Sequence, residues 1–164
     1  MISRRASFKL AVVSCCFLAL AACSKKNTPD LDAGTGPGGS YPPGSEGEFT
    51  TVVGDRVFFS EDQSTLTSEA QETLRRQADW LNKYKAVTVQ VEGHADERGT
   101  REYNISLSAR RATAAREFLI AQGVAGSRIS SIAYGKERPV ALCDAEQCWS
   151  QNRRAVTVIT GGAK

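Results

Sequence analysis

Segments with the two-residue period of a β-strand alternate with segments of helical period over most of the chain, and this alternation limits the folds open to it. The predicted strands are rich in β-branched and aromatic residues, and they are residues 51–59, 87–92, 129–134 and 155–160. The predicted helices carry apolar side chains three and four residues apart, and they are residues 67–84 and 104–122. The predicted order is therefore β-α-β-α-β-β.

This order predicts an α/β fold, an α+β sandwich, over residues 49–164. Each β-α-β unit crosses over on the right-handed side, so both helices are expected on one face of a mixed four-stranded sheet. We expect Thr67 or Ser68 to cap the first helix. Gly123 is the expected stop of the second helix.

The first residues of the chain have the features of an export signal. A cationic start over residues 1–9 and a largely apolar run over residues 10–20 are typical of a secretory signal peptide. The run is too short to cross a bilayer comfortably, since about 20 residues are needed, which disfavours an uncleaved membrane helix. The ending Leu-Ala-Ala-Cys resembles the lipobox of bacterial lipoproteins. This resemblance implies that residues 1–22 are removed and that Cys23 carries the lipid.

Residues 23–48 are expected to form a lipidated N-terminus and a flexible tether. The 25 residues from 24 to 48 contain six glycines and four prolines, a composition that forms no core. Such a chain spans roughly 30 Å on average and about 80 to 90 Å when stretched, so the domain would reach well beyond the lipid. Ser24 replaces the aspartate that typically retains lipoproteins in the inner membrane of enteric bacteria, which implies the outer membrane.

Removal of the signal peptide balances the charge of the chain. The signal carries three of the 21 Lys and Arg and none of the 18 Asp and Glu, so 18 residues of each sign remain. Nucleic-acid binding needs a clustered basic surface, and nothing in this balance supports one. No nucleic-acid partner is expected.

The loop after the second predicted strand and the helix that follows hold the candidate binding residues. Helical phase places Arg111 on the core-facing side, and a guanidinium among apolar neighbours needs an anionic partner. Asp96, on the preceding loop, is a candidate for that partner. Two interpretations stay open. The pair is an internal ion pair that ties loop to helix, or it clamps a zwitterion, with Asp96 on an ammonium and Arg111 on a carboxylate.

Several motifs, in order along the chain, resemble those of the peptidoglycan-associated lipoprotein family, whose carboxy-terminal domain is OmpA-like. They are GDRVFFSED at residues 54–62, VEGHADERGTREYNISLSARRA at 91–112, SIAYGK at 131–136 and NRRA at 152–155. The resemblance implies a periplasmic domain that binds the peptide of peptidoglycan noncovalently, through the zwitterionic end of meso-diaminopimelate. It also implies that the chain ties the outer membrane to the cell wall, meets TolB and other Tol proteins, and serves envelope integrity and cell division.

The resemblance also carries individual site residues over to this sequence. The family's diaminopimelate-binding aspartate falls on Asp96 and its arginine on Arg111. Asp62 matches an acidic position at the rim of the pocket, and Leu107 matches a helix residue that lines it.

Two positions depart from the residues that are common in the family, and two others match it but are expected to have a structural role. Relatives often have an aromatic residue at Glu61 and an aspartate or glycine at Ser60, so contacts of those side chains are not carried over. Asn152 and Arg153 match a family signature. At the start of a strand we expect them to be structural, bonding loop backbone and acidic side chains.

The cysteines predict one disulfide. Two of the five leave with the signal peptide, and Cys23 is committed to lipid. Cys143 and Cys148 remain, and an oxidising periplasm favours a bond between them that stabilises the fold by roughly 2 kcal/mol. Two cysteines and a distant His94 do not make a four-ligand zinc set, so neither a metal nor another cofactor is expected.

An enzyme that acts on the cell wall, such as a peptidoglycan hydrolase, is the alternative function. His94, Ser106 and Ser108 would be its candidates beside Asp96, but the sequence has no Gly-x-Ser-x-Gly or His-Glu-x-x-His motif. Adjacent Asp96 and Glu97 tend to point apart, whereas glycosidases need opposing carboxylates about 5 to 9 Å apart. A binding module, not an enzyme, is expected.

Overall fold

The computed structural model describes residues 41–164. Its strands are β1 (Arg56–Phe58), β2 (Thr88–Gly93), β3 (Ile129–Ala133) and β4 (Arg154–Gly161). Its α-helices are α1 (Glu46–Glu48), α2 (Ser68–Lys83), α3 (Arg101–Ala121) and α4 (Glu146–Asn152). The predictions for the signal peptide, for Cys23 and for the tether up to residue 40 lie outside the described residues.

The strands form one mixed sheet in the order β1-β4-β2-β3, which confirms the predicted fold class. β2 runs parallel to β3, whereas β4 is antiparallel to both of its neighbours, β1 and β2. A helix precedes each of these two parallel strands, because parallel strands need a long crossover connection. The apolar sides of α2 and α3 join the sheet in a single core.

Helix α2 shows how the sequence pattern builds this core. The Thr67 hydroxyl accepts a hydrogen bond from the backbone N–H of Ala70, which confirms the predicted cap. Ala70, Leu74 and Leu81 lie on one stripe of the helix and are almost completely buried. Each leucine buried in this way stabilises the fold by about 1.5 to 3 kcal/mol.

The beginning of the domain differs from the prediction in two ways. Residues 51–59 were expected to form one strand, but Phe49–Gly54 is a π-helical turn that continues α1, and only Arg56–Phe58 is a strand. The tether was expected to reach residue 48, yet Glu48 accepts a 2.7 Å hydrogen bond from the Trp80 indole. Phe49 is fully buried against the Trp80 ring, so burial of this aromatic side chain overrides the local β propensity.

Helix α3 is pressed closely against the end of β2. A Cβ at Gly93 would lie 1.9 Å from the Ser108 carbonyl oxygen, so only glycine permits this approach. The Thr100 hydroxyl caps α3 by accepting from the Tyr103 backbone N–H, so the helix begins at Arg101, three residues before the predicted start. Gly123 follows the helix with φ of 90°, which agrees with its predicted role as the stop. The loop between Gly93 and Thr100 is thereby held across the top of the sheet.

Candidate functional site

A cleft of about 170 Å³ opens where the loop after β1 meets the loop between β2 and α3. Its lining is mostly charged, and it consists of Glu61, Asp62, Asp96, Arg98, Gly99 and Tyr103. A larger cleft of about 350 Å³ lies between β1 and α2, but neither Asp96 nor Asp62 lines it. The smaller cleft is therefore the candidate site.

Asp96 lies at the floor of this cleft and is ionised. Only 8% of the residue is exposed, and its carboxylate accepts hydrogen bonds from Arg98 and Arg153. Burial raises the pKa of Asp96, but the bonds donated by the side chain and backbone N–H of Arg98 outweigh it. The pKa therefore lies below the ordinary value of an aspartate, and the negative charge persists at neutral pH.

Arg98 lines the cleft and bonds a carboxylate on each of its two loops. Its Nη2 donates to Asp96 at 2.8 Å, and its Nη1 donates to Glu61 at 2.7 Å. The guanidinium carbon also lies 4.2 Å from the centre of the Trp149 ring, a cation–π contact. One third of the side chain is exposed. The sequence interpretation did not single out Arg98, although an aspartate that accepts from the backbone two residues ahead is a known turn motif.

Arg111 does not pair with Asp96. Its guanidinium is completely buried, and it donates to the backbone carbonyls of Gln63, His94 and Ser60 at 2.8, 3.0 and 3.1 Å. The internal ion pair, one of the two interpretations from the sequence, is therefore wrong. Burial lowers the pKa of Arg111 to about 10, although the negative charge of Asp96 acts to raise it. Arg111 holds the two loops of the cleft together.

Asp62 and Leu107 are placed differently with respect to the cleft. Asp62 lies at the rim, as expected, and its carboxylate accepts from the Tyr103 hydroxyl at 3.2 Å. Its φ of 52° is left-handed, a conformation that aspartate tolerates better than most residues. Leu107 is 3% exposed and does not line the cleft, so its expected lining role is not seen here. Its side of α3 packs into the interior.

A disulfide brings a third element to the site. Cys143 and Cys148 are bonded, which confirms the predicted pairing. Cys148 lies in the first turn of α4, and the residue at the N-cap of this helix, Ala145, offers no capping side chain. The next residue, Trp149, donates its indole N–H to Glu97 at 2.9 Å and supports Arg98. No periodicity in the sequence pointed to this contribution.

Arg153 connects α4 to the floor of the cleft. It is buried, and it donates to the Phe59 carbonyl, to Asp96 and to both oxygens of Glu146. The side-chain oxygen of Asn152 accepts hydrogen bonds from two consecutive backbone N–H groups of the preceding loop, those of Val140 and Ala141. The expected structural roles of Asn152 and Arg153 are confirmed.

Ser108 and His94, two of the side chains considered for catalysis, are not arranged as a nucleophile and base. The Ser108 hydroxyl donates to the Ile105 carbonyl and accepts from the Gly135 N–H. His94 is buried and stacks on Tyr134, and neither of its ring nitrogens has a hydrogen-bond partner. Burial lowers the pKa of His94 to about 4, and nearby arginines contribute. Among residues 41–164, no three His, Cys, Asp or Glu side chains are grouped to hold a metal ion.

Comparisons with known proteins agree with this architecture. The model of the OmpA family matches residues 58–153. The chain is similar to the peptidoglycan-associated lipoprotein of Mesorhizobium japonicum, with 58% identity over 146 residues, which cover 88% of this chain and 87% of the relative. Within the described part of the chain, no helix is both long and apolar enough to cross a membrane.

Solved structures share the fold. The crystal structure of the peptidoglycan-associated lipoprotein from Burkholderia pseudomallei matches with a TM-score of 0.63 and 37% identity, over 65% of this chain and 90% of that chain. The carboxy-terminal domain of Helicobacter pylori MotB matches with a TM-score of 0.61 and 24% identity, over 65% of this chain and 84% of that chain. The second match shows the likeness of the fold alone.

Proposed function

Since this chain belongs to the OmpA family and, within it, to the peptidoglycan-associated lipoproteins, we propose that it binds peptidoglycan noncovalently and ties a membrane to the cell wall. The single observation that carries this proposal is the ionised carboxylate of Asp96 at the floor of a charged cleft. A buried charge of this kind suits a ligand that brings its own opposite charge.

The ligand that we propose is the zwitterionic end of meso-diaminopimelate in the peptide of peptidoglycan. Its ammonium would lie against the carboxylate of Asp96, and the carboxylate of Asp62 would lie nearby at the rim of the cleft. Its carboxylate would meet Arg111. Three of the five N–H groups of Arg111 are used by backbone carbonyls, and the guanidinium is completely buried behind the lining of the cleft, so the other two would reach the ligand only when the loops of the cleft part. Arg111, on α3, also donates to the carbonyl of His94, two residues before Asp96, so its guanidinium is bonded to the loop that carries the other half of the proposed clamp.

The test is the affinity of the full-length protein for a synthetic tripeptide that ends in meso-diaminopimelate, measured by calorimetry. Asp96→Asn keeps the shape of the loop and removes the charge. We expect it to weaken binding by about 2 to 5 kcal/mol, or about 30-fold or more. The matched control is Asp79→Asn, an exposed aspartate on α2, which should bind as the wild type does. Equal affinity of Asp96→Asn and wild type would contradict the proposal.

A second peptide separates the two halves of the clamp. Lysine in place of diaminopimelate keeps the side-chain ammonium and lacks the carboxylate beside it. We expect this peptide to bind more weakly to the wild type, and we expect Arg111 variants that remain folded to lose most of this preference. Equal binding of both peptides by the wild type would remove the carboxylate from the proposal.

The proposed activity is equilibrium binding without catalysis. The inward-turned hydroxyl of Ser108 and the buried, stacked ring of His94 support this choice over the hydrolase. Incubation of purified sacculi with the protein distinguishes the two, because an anchor is retained reversibly and in stoichiometric amount. Release of soluble muropeptides over time would instead identify a hydrolase.

Attachment to the outer membrane, through acylated Cys23, is part of the proposal. The lipobox-like sequence, Ser24 and the lipoprotein relatives support it. Cys23→Ser should abolish palmitate labelling and membrane association, whereas Cys15→Ser, within the signal, should change neither. Palmitate labelling of the Cys23 variant at the wild-type level would refute the anchor.

We further propose TolB and other Tol proteins as partners in envelope integrity and cell division. Failure of TolB to copurify with the intact protein would count against this partnership.

A further inference from the structure

We propose that the side chain of Arg98 occupies the ammonium position of the ligand at Asp96, so that ligand binding requires this guanidinium to leave. The inference rests on the proposed function of the cleft and adds a residue that sets its affinity. Binding then exchanges the Arg98 guanidinium for the ligand ammonium at Asp96, and the ligand does not enter a site that is already open.

The carboxylate of Asp96 has no acceptor position left for an ammonium. An ionised carboxylate offers about four lone-pair positions. Oδ1 accepts from the backbone N–H and from Nε of Arg98, at 3.1 and 3.3 Å. Oδ2 accepts from Nη2 of Arg98 at 2.8 Å and from Nη1 of Arg153 at 3.4 Å. A ligand ammonium must therefore displace one of these donors.

Of the four donors, only those of the Arg98 side chain are free to leave. The backbone N–H of residue 98 belongs to the turn that shapes the loop. Arg153 is 5% exposed, and it is held by the Phe59 carbonyl and by Glu146 as well. The Arg98 side chain is one-third exposed and lines the cleft. Rotation of this side chain toward solvent opens two acceptor positions, one on each oxygen of Asp96.

Two contacts other than the one with Asp96 provide a place for the displaced guanidinium. The Trp149 ring lies beneath it, and Glu61 accepts from Nη1, the nitrogen that does not bond Asp96. Both contacts are compatible with a side chain that swings away from Asp96, because stacking on an aromatic face leaves the guanidinium edge free. A displaced Arg98 would thus keep contacts with Trp149 and Glu61.

The test measures the affinity of full-length Arg98→Ala for the meso-diaminopimelate tripeptide. Removal of the internal competitor should tighten binding by roughly threefold to tenfold, the range for loss of a partly exposed charged hydrogen bond. The matched control is Arg101→Ala, an arginine three residues further on that pairs with Glu137 and does not line the cleft. Its affinity should stay within about twofold of the wild type, as for a surface pair.

The possible results separate this inference from the proposed function. Weaker binding by Arg98→Ala would overturn the inference and make Arg98 a direct ligand contact, and unchanged binding would also overturn it. Absence of binding by the wild type, or wild-type affinity of Asp96→Asn, would instead refute the proposed function. Thermal unfolding of each variant checks that the domain is intact.

A second measurement follows the guanidinium itself. The Nε–H of Arg98 bonds Asp96, so its signal in nitrogen–proton NMR spectra reports that contact. Saturation with the tripeptide should shift this signal, and the Arg98→Ala spectrum identifies it by its loss. A signal that stays unchanged at saturation would overturn the inference.

Discussion

Replacement of Arg111 by leucine tests the structural role that the buried guanidinium has in the absence of ligand. Leucine preserves the apolar phase of α3 but cannot donate to the three carbonyls that Arg111 binds. These carbonyls belong to the loops on both sides of the cleft, so we expect the domain to be destabilised as well as impaired in binding. An arginine that served the ligand alone would leave folding little affected when replaced.

The magnitude follows from two opposing contributions. Three hydrogen bonds from a charged donor stabilise the fold by about 4 to 5 kcal/mol, at about 1.5 kcal/mol each. Burial of the charge acts in the other direction. The pKa of Arg111 falls from the ordinary value of an arginine to about 10, which corresponds to roughly 3 kcal/mol that a neutral leucine recovers. The net loss is about 1 to 2 kcal/mol, or about 3 to 10 °C in melting temperature for a domain of this size.

The assay is thermal and urea unfolding of the full-length protein, with two companion variants. Arg110→Leu changes the exposed neighbour on the same helix and should alter the free energy of unfolding by less than about 0.5 kcal/mol. Arg111→Lys keeps a charge but has no planar fork, so it should be destabilised as well. If Arg111→Leu melted at the same temperature as Arg110→Leu, the assigned role of these three hydrogen bonds would be refuted.

Three further predictions concern stability. The pKa of His94 is about 4 in the fold against 6.5 in the unfolded chain, so the unfolded state takes up a proton first as the pH falls. Stability should therefore drop between about pH 6.5 and pH 4, by up to about 3 kcal/mol, and His94→Gln should lose most of this dependence in urea unfolding. Replacement of both Cys143 and Cys148 by alanine should lower the free energy of unfolding by about 2 kcal/mol, and unchanged stability would contradict this. Gly93→Ala would place a Cβ 1.9 Å from a carbonyl oxygen of α3 and should prevent folding, whereas Gly126→Ala, with its nearest contact at 3.4 Å, should yield folded protein by circular dichroism.

The fold was largely predictable because the decisive signals are local. The cap at Thr67 and the apolar spacing of α2 lie within a few residues of each other, and the alternating valines of β2 identify a buried face directly. The turn over Phe49–Gly54 was not predictable in the same way. Its residues favour a strand, and the opposing cause is the contact of Phe49 with Trp80, which lies 31 residues further on.

The location of the candidate site was predictable from the sequence, but the partners of its side chains were not. The loop that carries Asp96 and the core-facing phase of Arg111 both follow from the sequence. The partners of Arg111 are backbone carbonyls, which carry no signature in the sequence. The contact of Trp149 with Arg98 spans about 50 residues and depends on the short helix α4, whose seven residues give too weak a periodicity to detect.

The disulfide makes the timing of site assembly depend on the compartment. Thiols stay reduced in the cytoplasm, so a newly made chain would lack the bond that supports the uncapped first turn of α4. Trp149 and Glu146 would then be less firmly held against Arg98 and Arg153. The mature cleft would be completed only after passage into an oxidising space, when the chain has already reached the side of the membrane on which its proposed ligand is found.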